Sequence, residues 1–333
     1  MSIIFHGDLV PFSFSFVFDN QNVNHIGNLE CALSNSPINS GKAYTSIVPV
    51  QSIQEEGIKQ FSALSLANNH VYDAGECSEM IDFLVKQFPN IQFFGTNNLP
   101  YAFFNVDGER TAIIGSLEKC GSRGSLLFRE ENVLDLIRSL RNDFQKIYIY
   151  PHWGKESEYT RYPNPRQIKL AHKWIDAGAD GVFGHHSHVF QGYEEYHGKP
   201  IFYSLGNFFF PHPEGNLYSG TDLGMSLEIT PSTGWYHPSF HFYDISGLYP
   251  LQNDNEAYTT LYRISENISA MNYVLWGRKI GSFYIKKNMA SWKKRIWKQF
   301  PLNFLKFLVW NILPLTLWFR ICSVISHRTD TND

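Results

Sequence analysis

Five apolar runs in this chain each give way to side chains that bind metals or move protons, and this recurrence restricts the fold more than any other feature of the sequence. The last run is the sharpest. Gly178 to Gly184 (GADGVFG) leads straight into His185, His186, Ser187 and His188, three imidazoles in four positions. Imidazole is the commonest neutral metal ligand, and a His-x-His pair can aim two rings at one or two ions from a single turn. Taken alone, the cluster reads equally well as a polar turn that ends a strand.

The earlier runs repeat the pattern. Ser2 to Phe5 precedes His6, Gly7 and Asp8, and strict alternation puts Ile4, His6 and Asp8 on one strand face with Asp8 at the C-terminal end. A turn-like segment then reaches Asn28, Leu29 and Glu30. Phe61 to Leu66 reads as a buried strand followed by Asn68, Asn69, His70 and Asp73. The plain role for those asparagines is to cap the next helix, where Cys77, Met80, Ile81, Leu84 and Phe88 fall at helical spacing. Strands are expected at 91–94, 111–115 and 147–150, the last ending in Pro151 and His152, with a helix over 131–144. Asn164 followed by Pro165 starts another helix, which runs to Asp176 and stops at Gly178.

Strands alternating with helices define an α/β fold, and strand exits on one edge of such a sheet converge in space. Asp8, Glu30, Asn69 with His70, His152, and His186 with His188 are therefore expected to meet in one metal site. A set of carboxylate, carboxamide and imidazole suits Mn, Fe, Zn or a similar divalent ion better than a thiolate zinc site does.

Composition narrows the setting. With 333 residues, 43% of them hydrophobic and 16% aromatic, the chain can bury one large core and carry an appendage. Its 28 basic and 31 acidic side chains nearly balance, so no nucleic-acid partner is drawn by bulk charge. Cys31, Cys77, Cys120 and Cys322 have no CxxC spacing, which points to reduced thiols in a cytoplasmic setting. The start, MSIIFHGDLV, has no charged leader region and is not read as a signal peptide.

Beyond about Tyr249 the motifs stop. The expected division is residues 1–249 for the site-bearing domain and 250–333 for a helical, basic and apolar C-terminal region, with 255–276 helical. Lys286, Lys287, Lys293, Lys294, Arg295 and Lys298, interleaved with Trp292 and Trp297, lead into an apolar stretch over 300–325. Its uncharged core, Phe307 to Phe319, has 13 residues and contains Pro314, short of the roughly 20 a span needs. Residues 290–325 are expected to lie on the inner face of the membrane as a peripheral anchor. The alternative is a helix packed on the core or on a partner subunit.

The strings GDL (7–9), NLE (28–30), LANNHVYDAG (66–75), HWGKESEY (152–159) and the long block 167–210 resemble the CapA family, associated with poly-γ-glutamate and capsule biosynthesis and related to the calcineurin-like metallophosphatases. The resemblance spans about residues 3–245. It implies a metallophosphatase-like layered α/β sandwich with a helical C-terminal appendage. It also implies roles: Asp8 and His188 on a first metal, Glu30 bridging both, Asn69, His152 and His186 on a second, His70 as proton donor, and Asp73 orienting His70. On this alignment His185 is a neighbour rather than a ligand. The related motif Asp-x-His has Val10 in its last position here, so one tight and one weak metal are expected, drawn from Mn, Fe, Zn or Mg, with His6 as a substitute ligand. Glu156, Arg161 and Asn207 would line the substrate pocket, although Asn207 equally fits a turn cap. Arg161 and Arg166 are candidate clamps for phosphate or carboxylate, or simply solvated charge. The implied chemistry is metal-assisted hydrolysis of a phosphoester or polymer-linked substrate, with His70 protonating the leaving oxygen. The alternative is a metal-bearing accessory subunit, without turnover, of a membrane polymer-synthesis or export complex. The oligomeric state is left open.

Overall fold

The computed structural model describes residues 1–11, 18, 22–35, 45–53, 55–75, 77–118, 126–210, 220–244, 247–251 and 254–269. In chain order its strands are β1 (Ser2–Leu9), β2 (Val23–Leu29), β3 (Ala32–Leu33), β4 (Ile47–Val48), β5 (Ala63–Ser65), β6 (Gln92–Phe94), β7 (Tyr101–Val106), β8 (Glu109–Leu117), β9 (Lys146–His152), β10 (Gly181–Phe183), β11 (Tyr193–Tyr196), β12 (Lys199–Phe202), β13 (Asn207–Phe209), β14 (Leu223–Thr230), β15 (Trp235–Asp244) and β16 (Gly247–Pro250). The helices are α1 (Glu55–Ile58), α2 (Ser78–Gln87), α3 (Val133–Leu140), α4 (Pro165–Asp176) and α5 (Asn255–Ser269).

Two sheets result. The first runs β16-β15-β14-β1-β2-β5-β6, with β13 also paired to β1, and the second runs β11-β12-β10-β9-β8-β7. Their centres are parallel, β1 to β2 to β5 to β6 and β8 to β9 to β10 to β12. Parallel strands must be covered on both faces, and here they are. Ile3, Phe5 and Ile26 of the first sheet meet Tyr148, Tyr150 and Phe183 of the second, with the Phe5 ring 4.7 Å from that of Phe183. Each such side chain, fully withdrawn from water, contributes about 1.5–3 kcal/mol.

The outer faces are covered by helices. Met80 and Leu84 of α2 pack with Leu29, Leu64 and Phe93 on the first sheet. α3 and α4 pack against β8 and β10 of the second sheet, and Trp174 of α4 stacks on Trp153 at 5.3 Å. The layered α/β sandwich expected from the resemblance is the observed one.

Local sequence explains the best-defined helix. The Asn164 side chain accepts from Gln167 N at 2.9 Å and Gln167 Oε1 accepts from Asn164 N at 2.9 Å, a reciprocal cap with Pro165 at the first helical position. Such a cap is worth about 1 kcal/mol. Gln167 Oε1 also accepts from Ser157 Oγ at 2.6 Å, so the helix start is tied to the loop that follows His152.

Two expectations change. The asparagines after β5 do not cap α2, which begins at Ser78. Asn68 Oδ1 instead accepts from His70 N and Val71 N at 3.0 and 3.1 Å, closing a local turn. The compact unit runs from Met1 to Ile268, past the division expected at 249, because Ala257, Leu261 and Ile264 of α5 belong to the inner core. The expected membrane-facing segment, 290–325, and the rest of 270–333 lie outside the described residues.

Candidate metal centre

The strand ends of both sheets supply the site. β1 brings Asp8, β2 brings Asn28 with Glu30 just beyond it, the turn after β5 brings Asn68, Asn69 and His70, β9 ends in His152, and β10 leads into His185, His186 and His188. This is the carboxyl edge of a parallel arrangement, where open α/β sheets bind ligands.

Asp8 gets there by an irregularity that alternation does not foresee. Phe5 pairs with Ile26 and Asp8 with Asn28, so His6 and Gly7 together oppose the single residue Gly27. This bulge turns Asp8 inward, away from the face that carries His6. His6 lies on the outer side of the sheet, 2.9 Å from His25 Nδ1 and 2.8 Å from Ser226 Oγ, against the rings of Phe18 and Phe208. The expectation that His6 substitutes as a ligand is therefore wrong. Gly7 is required at the bulge, since a Cβ there would fall 1.8 Å from Gly206 O.

Around Asp8, the Oδ1 atom is 3.0 Å from His185 Nδ1, which is 2.9 Å from His152 Nδ1. Asn28 Nδ2 donates to the same Oδ1 at 2.8 Å, and the backbone N–H of His186 donates to Oδ2 at 3.0 Å. Glu30, His186 and His188 form a second group whose ligand atoms all lie within 4.8 Å of one another. His152 faces both groups: its Nε2 is 2.5 Å from Asn69 Oδ1 and 3.4 Å from Glu30 Oε1. His70 Nε2 is 3.8 Å from Glu30 Oε1, while its Nδ1 is 2.6 Å from Asp73 Oδ2, which also accepts from Ser46 N at 2.7 Å.

His188 Nδ1 is 2.9 Å from Asn207 Oδ1, and Asn207 Nδ2 donates to Thr221 O and Tyr243 OH. With its amide fixed in that direction, Asn207 accepts the Nδ1 proton and leaves Nε2 of His188 as the free ligand atom. Asn207 thus orients a histidine, a different role from the pocket lining expected. Backbone strain collects here as well, with φ of 94° at His186, 58° at His188 and 60° at Tyr159, whose ring stacks on that of His188.

The electrostatics separate the two carboxylates. Burial alone would raise the Asp8 carboxyl, but the His185 hydrogen bond and the nearby His185 and His188 rings hold it well below the usual carboxylate range. Burial, and then the charge of Asp8, push Glu30 well above that range. Burial together with His186 and His185 keeps His152 well below an ordinary imidazole, hence neutral and able to ligate.

The residues fit a divalent ion. Asp8 and Glu30 are both fully buried and share a side-chain hydrogen bond, so burial beside Asp8 disfavours a second negative charge on Glu30. Ionising both buried carboxyl groups side by side costs several kcal/mol, and a cation held by them removes that cost. The surrounding carboxylate, carboxamide and imidazole donors match Mn, Fe or Zn.

The remaining expected site residues are placed as follows. Arg161 lies 3.9 Å over the Phe190 ring and donates to Phe190 O at 3.4 Å. Burial lowers its guanidinium to about 10, partly offset by Asp222. Arg166 is engaged by Glu118 and Glu130, so its clamp acts on the protein itself, and Glu118 Oε2 in turn accepts from Gly154 N at 2.6 Å. The Glu156 side chain lies outside the described parts. Sequence reasoning set aside His185 and did not single out Asn28. A parallel bridge between His152 and His185 joins the two strand exits, a pairing that no local pattern reveals.

A two-sheet α/β sandwich with imidazoles and carboxylates gathered at the strand ends of both sheets defines an α/β protein with a candidate divalent-metal centre. Residues 17–212, more than half of the chain, match the family model described as bacterial capsule synthesis protein PGA_cap, and the chain belongs to that family. It is 32% identical over 180 residues to the capsule biosynthesis protein CapA of Bacillus anthracis, covering 48% of this chain and 42% of that protein. It is also 32% identical over 166 residues to the PGA biosynthesis protein CapA of Bacillus subtilis (strain 168), covering 45% and 43%. The chain thus spans less than half the length of these curated relatives. Among solved structures it is similar to the NAD nucleotidase NadN of Haemophilus influenzae, with a TM-score of 0.41 and 15% identity over 79% of this chain and 56% of the other. Among the described residues, no helix is long and apolar enough to cross a membrane.

Proposed function

We propose that this chain is a metal-dependent phosphohydrolase or phosphodiesterase acting in bacterial capsule, exopolysaccharide or poly-γ-glutamate biosynthesis. The observation that carries the reading is the fully buried pair of carboxyl groups, Asp8 and Glu30, in two groups of ligand-type atoms, Asp8 with His152 and His185 and Glu30 with His186 and His188, with His70 Nε2 3.8 Å from Glu30 Oε1. A divalent ion there supplies positive charge to phosphoryl oxygens. Asp73 accepts the Nδ1 proton of His70 and aims Nε2 toward the same space, where it can pass a proton to a leaving oxygen. Asn207 holds the His188 ring in place, and the Glu118–Arg166 pair fixes the loop after His152. The names of the two Bacillus relatives support the capsule and poly-γ-glutamate setting. Residues 290–325 would hold the chain at an anionic membrane surface. Deletion of 290–333 should then lower recovery in the membrane fraction, and unchanged recovery defeats that part.

The experiment is hydrolysis of a simple phosphodiester, bis(p-nitrophenyl) phosphate, with Mn added, comparing the protein with His186→Ala. Turnover that His186→Ala abolishes supports the reading. Its absence, repeated with polymer-linked and lipid-linked phosphoesters, refutes it. A metal-bearing accessory role without turnover is favoured by one observation, that protein donors already occupy both oxygens of Asp8.

A further inference from the structure

A cavity that shares no residue with the metal centre lies where α5 meets β11, β12 and β15. Its volume is about 550 Å³, within the roughly 300–1,000 Å³ typical of small-ligand sites. The helix is seated there by close contacts. Ser265 Oγ accepts from Tyr193 N at 2.9 Å, and a Cβ at Gly192 would fall 2.5 Å from Ile268 Cδ1 and 2.9 Å from Ile264 Cγ2, so α5 lies directly on the start of β11. Tyr258, Leu261 and Tyr262, at helical spacing on one face of α5, then line the cavity together with Tyr193 of β11, Phe202 of β12 and Tyr236 of β15.

The lining is aromatic, and its rings meet at steep angles. Tyr193 and Tyr262 stand at 67° with centroids 6.3 Å apart, and Phe202 and Tyr236 at 80° and 5.7 Å. Rings set this way wall a compact group from several directions, whereas a sugar ring is held on open, coplanar platforms. Phe202 and Leu261 are buried, while Tyr262 is 55% exposed at the mouth.

The charge beside these rings has one sign. No Lys or Arg lines the cavity, and the imidazole that does, His237, has its Nε2 3.2 Å from Tyr258 OH. Tyr236 OH donates to Glu195 Oε1 at 2.6 Å, which sets a carboxylate next to the rings. Burial first, and then that bond and the charge of Glu195, push the Tyr236 phenol up, and burial followed by Tyr262 and Glu195 does the same to Tyr193. Surroundings that oppose further negative charge favour a cation, because ring faces and a carboxylate both attract one. Phosphorylated or carboxylate-bearing ligands are disfavoured by the same field.

We propose that this cavity binds a small molecule through a compact alkylammonium group, walled by Tyr193, Tyr236, Tyr258 and Tyr262 and with Glu195 as its counter-ion. The site goes beyond the reading above and depends neither on the metal centre nor on turnover.

The test titrates the full chain, by isothermal calorimetry, with choline and with 3,3-dimethyl-1-butanol, which has the same shape with carbon in place of the charged nitrogen. Saturable binding of choline about tenfold tighter than the neutral isostere is expected, a preference of about 1.4 kcal/mol. Tyr262 and Glu195 are exposed, so Tyr262→Ala and Glu195→Gln should keep the fold, as circular dichroism will check. Each should weaken choline about 2–5-fold, and Tyr262→Phe, which keeps the ring face, should not. Equal affinity for the two probes would make the cavity merely apolar and overturn the proposal. Choline binding that does not saturate, tighter binding of glucose than of choline, or choline binding that Tyr262→Ala leaves unchanged would overturn it too. If a variant does not fold, the preference of the unaltered protein between the two probes decides.

Discussion

Gly7→Ala puts the β1 bulge to the test, because Gly7 links strand geometry to the site. An alanine Cβ at this position would fall 1.8 Å from Gly206 O and 2.7 Å from Gly206 C, both backbone atoms. No side-chain rotation relieves the clash. Real carbon–oxygen contacts need more than about 3 Å, so β1 and β13 must part by over 1 Å. That opens the Asp8 N to Gly206 O bond, now 3.0 Å, and strains the Val10 N to Phe209 O bond, now 2.8 Å. A buried polar group left unmade costs about 1–3 kcal/mol, and overpacking a close-fitting core adds about 1–3 kcal/mol. The expected loss is roughly 2–6 kcal/mol, a large share of the 5–15 kcal/mol typical of a folded domain. Urea unfolding followed by circular dichroism measures it, with Gly198→Ala as the reference because a Cβ there meets nothing within 4 Å although φ is +69°. That reference should lose about 1 kcal/mol. A Gly7→Ala protein within about 0.5 kcal/mol of the parent would refute the bulge geometry and the route by which Asp8 reaches the site.

Asp73→Ala removes the acceptor shared by His70 Nδ1 and Ser46 N, so turnover on a phosphodiester should fall about 10–100-fold while Mn content, measured by atomic emission, stays the same. Equal loss of metal would assign Asp73 to the metal rather than to His70. Asn207→Ala releases His188 Nδ1 and should weaken Mn(II) affinity by about 10–100-fold in a calorimetric titration; an unchanged affinity removes Asn207 from the orienting role. Stability of the metal-free protein should fall on acidification from pH 7 to pH 5. Burial lowers His25 and His241 to about 4 and His6 and His152 well below their ordinary value, so the unfolded chain takes up protons first, near 6.5. Their contribution is complete above that pH and is lost at about 1.4 kcal/mol per pH unit per group as pH falls toward the folded values. Glu30, raised by burial and by Asp8, acts in the opposite sense over this range, but four groups oppose one. A urea midpoint that is flat or rises toward pH 5 contradicts the burial of these histidines.

What was legible in the sequence follows from how local each cause is. The strand runs, the Asn164–Pro165 helix start and the ligand-type residues at strand exits are set by neighbours within a few positions, and the structure has each of them. His6 was misplaced because a bulge changes the face of every residue after it, and this bulge is fixed by Gly206, about two hundred residues away in sequence, approaching Gly7. His185 was set aside for a similar reason. Its part depends on the bridge to His152 and the bond to Asp8, contacts across both sheets that residue spacing cannot carry. Arg166 looked like a free cation because the sequence does not show Glu118 and Glu130 converging on it. Residue type therefore nominates candidate ligands, but contacts distant in sequence set the protonation of each. Asp8 and Glu30 are both acidic side chains at strand exits, yet the His185 hydrogen bond and the nearby His185 and His188 rings hold Asp8 low while burial beside Asp8 pushes Glu30 up, a difference that only the folded arrangement creates.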